Sequence, residues 1–127
     1  MRLLIDTHVA LWWWRPSRLL SEAARQAIAS ADLVFVSVVT GFEIANKYRL
    51  GKLDMLGDPA QALPALMSAH DFSPLPVTDA HALAAGLLPG DHRDPFDRLI
   101  AAQALAEGLT VVTRDSVFTD FGCKVLW

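Results

Sequence analysis

The chain has 127 residues, 53% of them hydrophobic and 20% charged, with one cysteine and a formal net charge of −3. That length suits a single well-packed domain spanning 1–127, and the acidic balance argues against a broad basic surface for gripping nucleic acid, so any phosphate chemistry needs a bound cation. The lone Cys123 makes neither an internal disulfide nor a cysteine metal cluster, and the longest apolar runs stop well short of the ~20 residues of a membrane span, so the expected setting is the reducing cytoplasm.

Strand and helix signals alternate along the chain. "RLLID" is a short, branched apolar run closed by Asp6, and "THVALW" after it is helical. "SEAARQAIASA" starts a helix on Ser21 as N-cap; "LVFVSV" is the second strand, and "TGFEIANKYRLG" predicts a helix from Thr40 to a terminating Gly51. "DPAQALPALMSAH" opens with a cap and a proline at the first helical position. "FSPLPV" contains Pro74 and Pro76, which cannot donate to a ladder, so a strand there is short or at an edge. The helices "TDAHALAAGLL" and "DPFDRLIAAQALAEG" follow, then the strand "LTVVT" and a tail, "CKVLW", that can add a last strand. The expected fold is α/β: three layers, α/β/α, around a mostly parallel four- to five-stranded sheet.

This alternation brings acids to one edge. Asp6 ends the first strand, Glu43 lies near the start of the helix after the second, and Asp115 stands two residues beyond "LTVVT", all at the carboxyl edge of a parallel sheet. Asp97 reaches the same edge because its helix runs down into the start of "LTVVT", leaving its N-terminus at the far end. Open α/β sheets bind ligands at that rim. Four clustered carboxylates raise one another's pKa, and a divalent cation removes the conflict; an all-oxygen donor set suits Mg²⁺ or Mn²⁺ and points to metal-dependent phosphodiester hydrolysis. Ordinary capping competes with this reading. Asp6 can cap "THVALW", Asp115 can cap a turn through "SVFTDF", and Glu43 with Lys47 is an i, i+4 pair worth only ~0.3 kcal/mol.

Four segments carry a resemblance: "LLIDTHVALW", "SVVTGFEIANKYRLGKL", "HRDPFDRLIAAQA" and "LTVVTRD". In this order they resemble the successive motifs of PIN-domain proteins, most closely the VapC-type ribonuclease toxins of bacterial type II toxin–antitoxin pairs. The resemblance implies that Asp6, Glu43, Asp97 and Asp115 are an acidic quartet binding Mg²⁺, with Mn²⁺ as an alternative, and orienting the attacking water. It also implies an RNA substrate, a small VapB-type antitoxin as partner, and a homodimer with no membrane association.

Asp94 precedes Pro95, the preferred first helical residue, and puts Asp97 at the third helical position; Asp94 is therefore expected to cap and Asp97 to be the ligand. Trp12, Trp13 and Trp14 fan over about 200° of a helix, so at least one is expected to be exposed. The four histidines lack zinc spacing and are expected to be ordinary residues, with His8 close enough to Asp6 to tune it. Arg93 and Arg98 flank the acids and are candidates to steer RNA or to be solvated charges; Thr113 and Arg114, beside Asp115, are candidates to help through hydroxyl and guanidinium hydrogen bonds, Arg114 otherwise being a solvated surface residue. A phosphoacceptor receiver domain needs paired acids after its first strand, and an Asp-x-Asp phosphatase has a second acid where "DTH" has histidine. The stronger competitor is a non-catalytic PIN-like module that binds an antitoxin or RNA.

Overall fold

Leu3 and Ile5 bury into one core while Leu4 between them buries into another, as the two-residue period of a strand requires. The computed structural model describes residues 1–54 and 56–127. Among these residues the elements run β1 (Arg2–Ile5), α1 (Thr7–Trp14), α2 (Glu22–Ser30), β2 (Leu33–Ser37), α3 (Val38–Arg49), α4 (Pro59–Ala69), β3 (Ser73–Leu75), α5 (Asp79–Leu87), α6 (Pro95–Glu107), β4 (Thr110–Val112), α7 (Val117–Asp120) and β5 (Val125–Leu126).

The five strands form one sheet in the order β3-β2-β1-β4-β5. Every pairing is parallel, with Leu4 aligned to Phe35 of β2 on one side and to Val111 of β4 on the other. The sheet is thus wholly parallel where the sequence suggested mostly parallel. One face packs Leu3, Ile5, Val34 and Val36 against Val9, Trp14, Ala24 and Ile28 of α1 and α2. The other packs Leu4 and Val111 against Ile100, Ala101 and Ala104 of α6 and Phe118 of α7. Both proline-bearing and terminal strands, β3 and β5, lie at the edges, where a missing ladder donor is tolerated. Buried Gln103 on α6 donates to the carbonyls of Leu75 and Pro76, fastening the end of β3 to the helix layer.

The caps at Ser21, Asp58 and Asp94 form as expected, each side chain accepting a first-turn backbone N–H. Gly108 ends α6 with φ +65°, a left-handed conformation that favours glycine. The helix expected from Thr40 starts two residues earlier, at Val38, because Ser37 caps it by accepting from the N–H of Val39. The strand therefore passes straight into α3 with no loop, and Glu43 lies in the second turn. Among the described residues, no helix is long and apolar enough to cross a membrane.

The tryptophans differ from expectation. Trp14 is buried, but Trp12 and Trp13 are half-buried and none of the three is fully exposed. Trp13 packs on His70 and Phe72, and Trp12 on His8 and Trp127. Rings from distant segments cover the flanks that an isolated helix would leave in water.

Candidate active site

All strands being parallel, the residues after β1, β2 and β4 meet at one edge. Asp6 is the first residue past β1 and is buried. Its Oδ1 accepts from the N–H of Val9, 2.9 Å away, so it caps α1; its Oδ2 accepts from the hydroxyl of Thr113, just past β4. The capping role weighed against a ligand role is thus present, and one lone pair on each oxygen is left over for it. Burial pushes the Asp6 carboxyl above its ordinary range, the hydrogen bonds from Thr113 and Val9 oppose this, His8 also lowers it, and Asp115 adds to the rise.

Glu43 approaches from α3. Its Oε1 accepts from Thr7 Oγ1 at 2.7 Å, and Thr7 also bonds Thr40 at 2.9 Å, so neighbouring hydroxyls tie the second acid to the residue following the first. Burial raises the Glu43 pKa, Thr7 and Lys47 lower it, and Asp94 and Asp97 raise it.

Asp97 stands in the first turn of α6, half-buried, with Oδ2 3.0 Å from His92 Nε2. Its pKa too is raised, first by burial and then by Asp94 and Asp115, against the lowering effect of His92. Asp94 is exposed and its Oδ1 is spent on the N–H groups of Phe96 and Asp97. Asp115 is exposed; Thr113 Oγ1 accepts from its N–H, and its own Oδ1 accepts from the N–H of Val117, opening the short α7.

Of the four acids singled out in the sequence, three lie past β1, β2 and β4 and one at the start of α6, and like charge links them: Asp115 raises the pKa of Asp6 and of Asp97, and Asp97 raises that of Glu43. Asp6 and Asp115 line a pocket of about 290 Å³ together with His8, Trp12 and Arg114. Ligand atoms of His92, Asp94 and Asp97 also lie within 4.8 Å of one another. Among the described residues this is the group whose ligand atoms come that close; Asp97 is its member from the four acids, and Asp94 in it also caps α6. A larger groove of about 560 Å³, between α3 and α4, has no ionisable side chain in its lining and so offers no group for metal or acid–base chemistry.

The donor set fits a hard divalent cation. Three partly or fully buried carboxylates hold raised pKa values because burial and like charge are not fully compensated by protein groups. Carboxylate oxygens, with one imidazole in support, suit Mg²⁺ or Mn²⁺ better than a soft metal.

Spacing did not single out Thr7, Thr40 or His92. Thr7, Thr40 and Thr113 orient the acids through hydroxyls; Thr113 was expected to help beside Asp115, and its hydroxyl donates to Asp6 as well as accepting from the N–H of Asp115. His92, expected to be ordinary, contacts Asp97; its place five residues before that acid was the available clue. Arg98 reverses the expectation of a steering or solvated charge: its guanidinium donates to the carbonyls of Ala85 and His92, each at 2.9 Å, and also to Gly86 and Leu88. Its donors are used in tying the last turn of α5 and the α5–α6 connection to α6.

Residues 3–122 match a family model described as PIN domain. The chain is similar to Ribonuclease VapC22 of Mycobacterium tuberculosis, with 35% identity over 118 residues covering 89% of this chain and 86% of that protein. It is also similar to a solved member of the VapBC family of toxin–antitoxin systems, VapBC-5 from Mycobacterium tuberculosis, at 26% identity and TM-score 0.59, covering 99% of this chain and 97% of that one. VapBC2 from Rickettsia felis, solved bound to a promoter DNA fragment, shares the fold at TM-score 0.70 and 16% identity, covering 99% and 98% of the two chains.

Proposed function

We propose, because this chain belongs to the PIN-domain family, that it is a divalent-metal-dependent endoribonuclease acting as the toxin of a toxin–antitoxin pair. In this reading the chain works as one PIN-like domain in the cytoplasm, forms a homodimer, cleaves RNA phosphodiester bonds and is neutralised by a VapB-type antitoxin. The similarity to a ribonuclease and to a VapBC-family toxin–antitoxin structure supports the activity and the partner class. The observation that carries the catalytic reading is the meeting of Asp6, Glu43, Asp97 and Asp115 at the carboxyl edge, with the first three held above their ordinary pKa by burial and by neighbouring acids.

Asp6, Glu43, Asp97 and Asp115 would hold Mg²⁺, or Mn²⁺ in its place. When bound, the cation supplies neutralisation of developing phosphate charge and acidification of water, the chemistry of in-line phosphodiester hydrolysis. The protein's own contribution is positioning. Thr113 and the N–H of Val9 fix both oxygens of Asp6, Thr7 fixes Glu43, and His92 fixes Asp97. The N-terminus of α6 adds a field that favours anions where the phosphate must sit.

The test is cleavage of mixed RNAs by purified, antitoxin-free protein with Mg²⁺, with Mn²⁺ and with EDTA. Cleavage with either metal that EDTA and Asp6→Asn both abolish supports the reading. Folded protein that leaves RNA intact with both metals overturns it and leaves a non-catalytic binding module.

A further inference from the structure

We propose that Arg114, seated on the ring of Trp12, is a clamp for an RNA phosphate neighbouring the scissile one, and that Trp12 is its positioning residue. This deepens the ribonuclease reading and rests on it. The guanidinium carbon of Arg114 lies 5.0 Å from the centre of the Trp12 ring, within the range of a cation–π contact. Trp12 is itself braced, by Trp127 at 5.9 Å and by His8 at 5.7 Å between ring centres. Arg114, Trp12 and His8 line the pocket that Asp6 and Asp115 share, so the cation stands beside the acids and not on a remote face.

The state of the guanidinium points to a ligand. Arg114 is exposed, and among the described residues it makes no hydrogen bond or ion pair, although Asp115 is its chain neighbour. A guanidinium held over a ring by cation–π attraction leaves its N–H groups available, and their planar fork can receive two oxygens of one phosphate. The electrostatics supply the need. Four carboxylates on a chain of net charge −3 repel an RNA strand, and a cation at the acids offsets that repulsion only at the scissile phosphate. Of the two arginines expected to steer RNA, Arg98 has spent its donors on backbone carbonyls, and Arg93 is exposed and does not line the pocket that Asp6 and Asp115 share. Arg114 is placed for the adjacent phosphate.

The experiment uses the full chain carrying Asp6→Asn, in EDTA, so that binding is measured without cleavage. A short fluorescein-labelled single-stranded RNA of mixed sequence is titrated by anisotropy over a range of salt. Arg114→Gln is expected to weaken binding about threefold to tenfold and to reduce the slope of log K against log salt by about 0.7, the signature of one lost single-strand phosphate contact. Arg114→Lys should recover part of both. Trp12→Leu should weaken binding when Arg114 is present and add nothing in the Arg114→Gln protein, a dependence that loss of packing alone does not produce. In the cleaving protein, Arg114→Gln should raise KM and lower kcat/KM by about the same factor. Unchanged affinity and salt slope in Arg114→Gln, with the wild-type chain cleaving RNA, overturns the clamp and leaves the nuclease standing. The clamp signature in a wild-type chain that cleaves no RNA does the reverse. An Asp6→Asn protein that binds no RNA overturns the clamp whether or not the wild type cleaves. Because Arg114 is exposed, its substitution tests the clamp even if Trp12→Leu fails to fold.

Discussion

Thr113 donates its hydroxyl to Asp6 across the seam between β4 and β1, joining residues 107 apart in the chain. Asp6 is buried, so this donor is part of what keeps a carboxylate tolerable there. Thr113→Val preserves shape but removes the donor, and is expected to cost about 1–3 kcal/mol of stability. It should also move the acid limb of the pH–rate profile to higher pH, because the lost hydrogen bond lowers the Asp6 pKa. Thr113→Ser should restore both. Unchanged melting and an unmoved limb in Thr113→Val would show that the hydroxyl does not support Asp6.

Stability without metal should fall as pH rises toward neutral. Asp6, Glu43 and Asp97 have folded pKa values above their ordinary ones, so in the window between the two values the folded chain binds more protons than the unfolded chain. Their contribution is therefore complete below the ordinary carboxylate values and is lost as pH rises through the raised ones. Thermal unfolding in EDTA is expected to give a higher Tm at mildly acidic pH than at neutral pH, with Asp6→Asn flattening the slope and Mg²⁺ raising the neutral Tm. A neutral Tm that Asp6→Asn and Mg²⁺ both leave unchanged contradicts this account.

His92 holds Asp97 from outside the proposed ligand set. Partners of this kind commonly contribute 10–100-fold to activity or metal affinity. His92→Ala should accordingly lower cleavage by about 10–100-fold, with partial recovery at raised Mg²⁺. Wild-type activity in the variant at limiting Mg²⁺ would remove His92 from the supporting set.

Arg98 is a brace rather than a recognition residue. Its replacement by Lys keeps the charge but cannot reproduce a fork of donors reaching four carbonyls. A loss of about 1–3 kcal/mol is expected in denaturant unfolding. RNA affinity measured on the folded variant should change little, whereas a selective loss of affinity with full stability would return Arg98 to the recognition surface.

Cys123 is buried, and burial pushes its thiol up to about 11. The thiolate is the reactive form, so alkylation by iodoacetamide should be slow in the folded protein and rise sharply on unfolding. Rapid labelling under native conditions would contradict the buried placement.

The sheet was legible because its signals are local. The apolar runs at residues 2–5, 33–37 and 110–112, the Asp-Pro caps at Asp58 and Asp94, and the terminating Gly108 each act over a few residues. Alternation of strand and helix then implied a parallel sheet, and a parallel sheet implied that the acids after its strands share an edge. The helix start missed by two residues shows where this logic weakens: Thr40 and Ser37 are both plausible caps, and packing of Val39 into the core between the sheet and α6 accompanies the choice of Ser37.

What the sequence by itself determined was the alternation of strands and helices and, through it, the edge at which the residues after the strands lie, since periodicity and capping chemistry need no distant information; the order of the strands is read only from the folded sheet. Only the tertiary structure decided which groups hold the acids. Thr113 meets Asp6, Thr7 meets Glu43, Trp127 meets Trp12, and Arg98 closes on the carbonyls of the last turn of α5 and the α5–α6 connection. Each of these depends on where a short side chain or a flexible guanidinium finds its partner after the layers have packed. Hydrogen bonds and ring contacts act over a few ångströms between segments distant in sequence, and nothing in the order of residues specifies that proximity before the chain has folded.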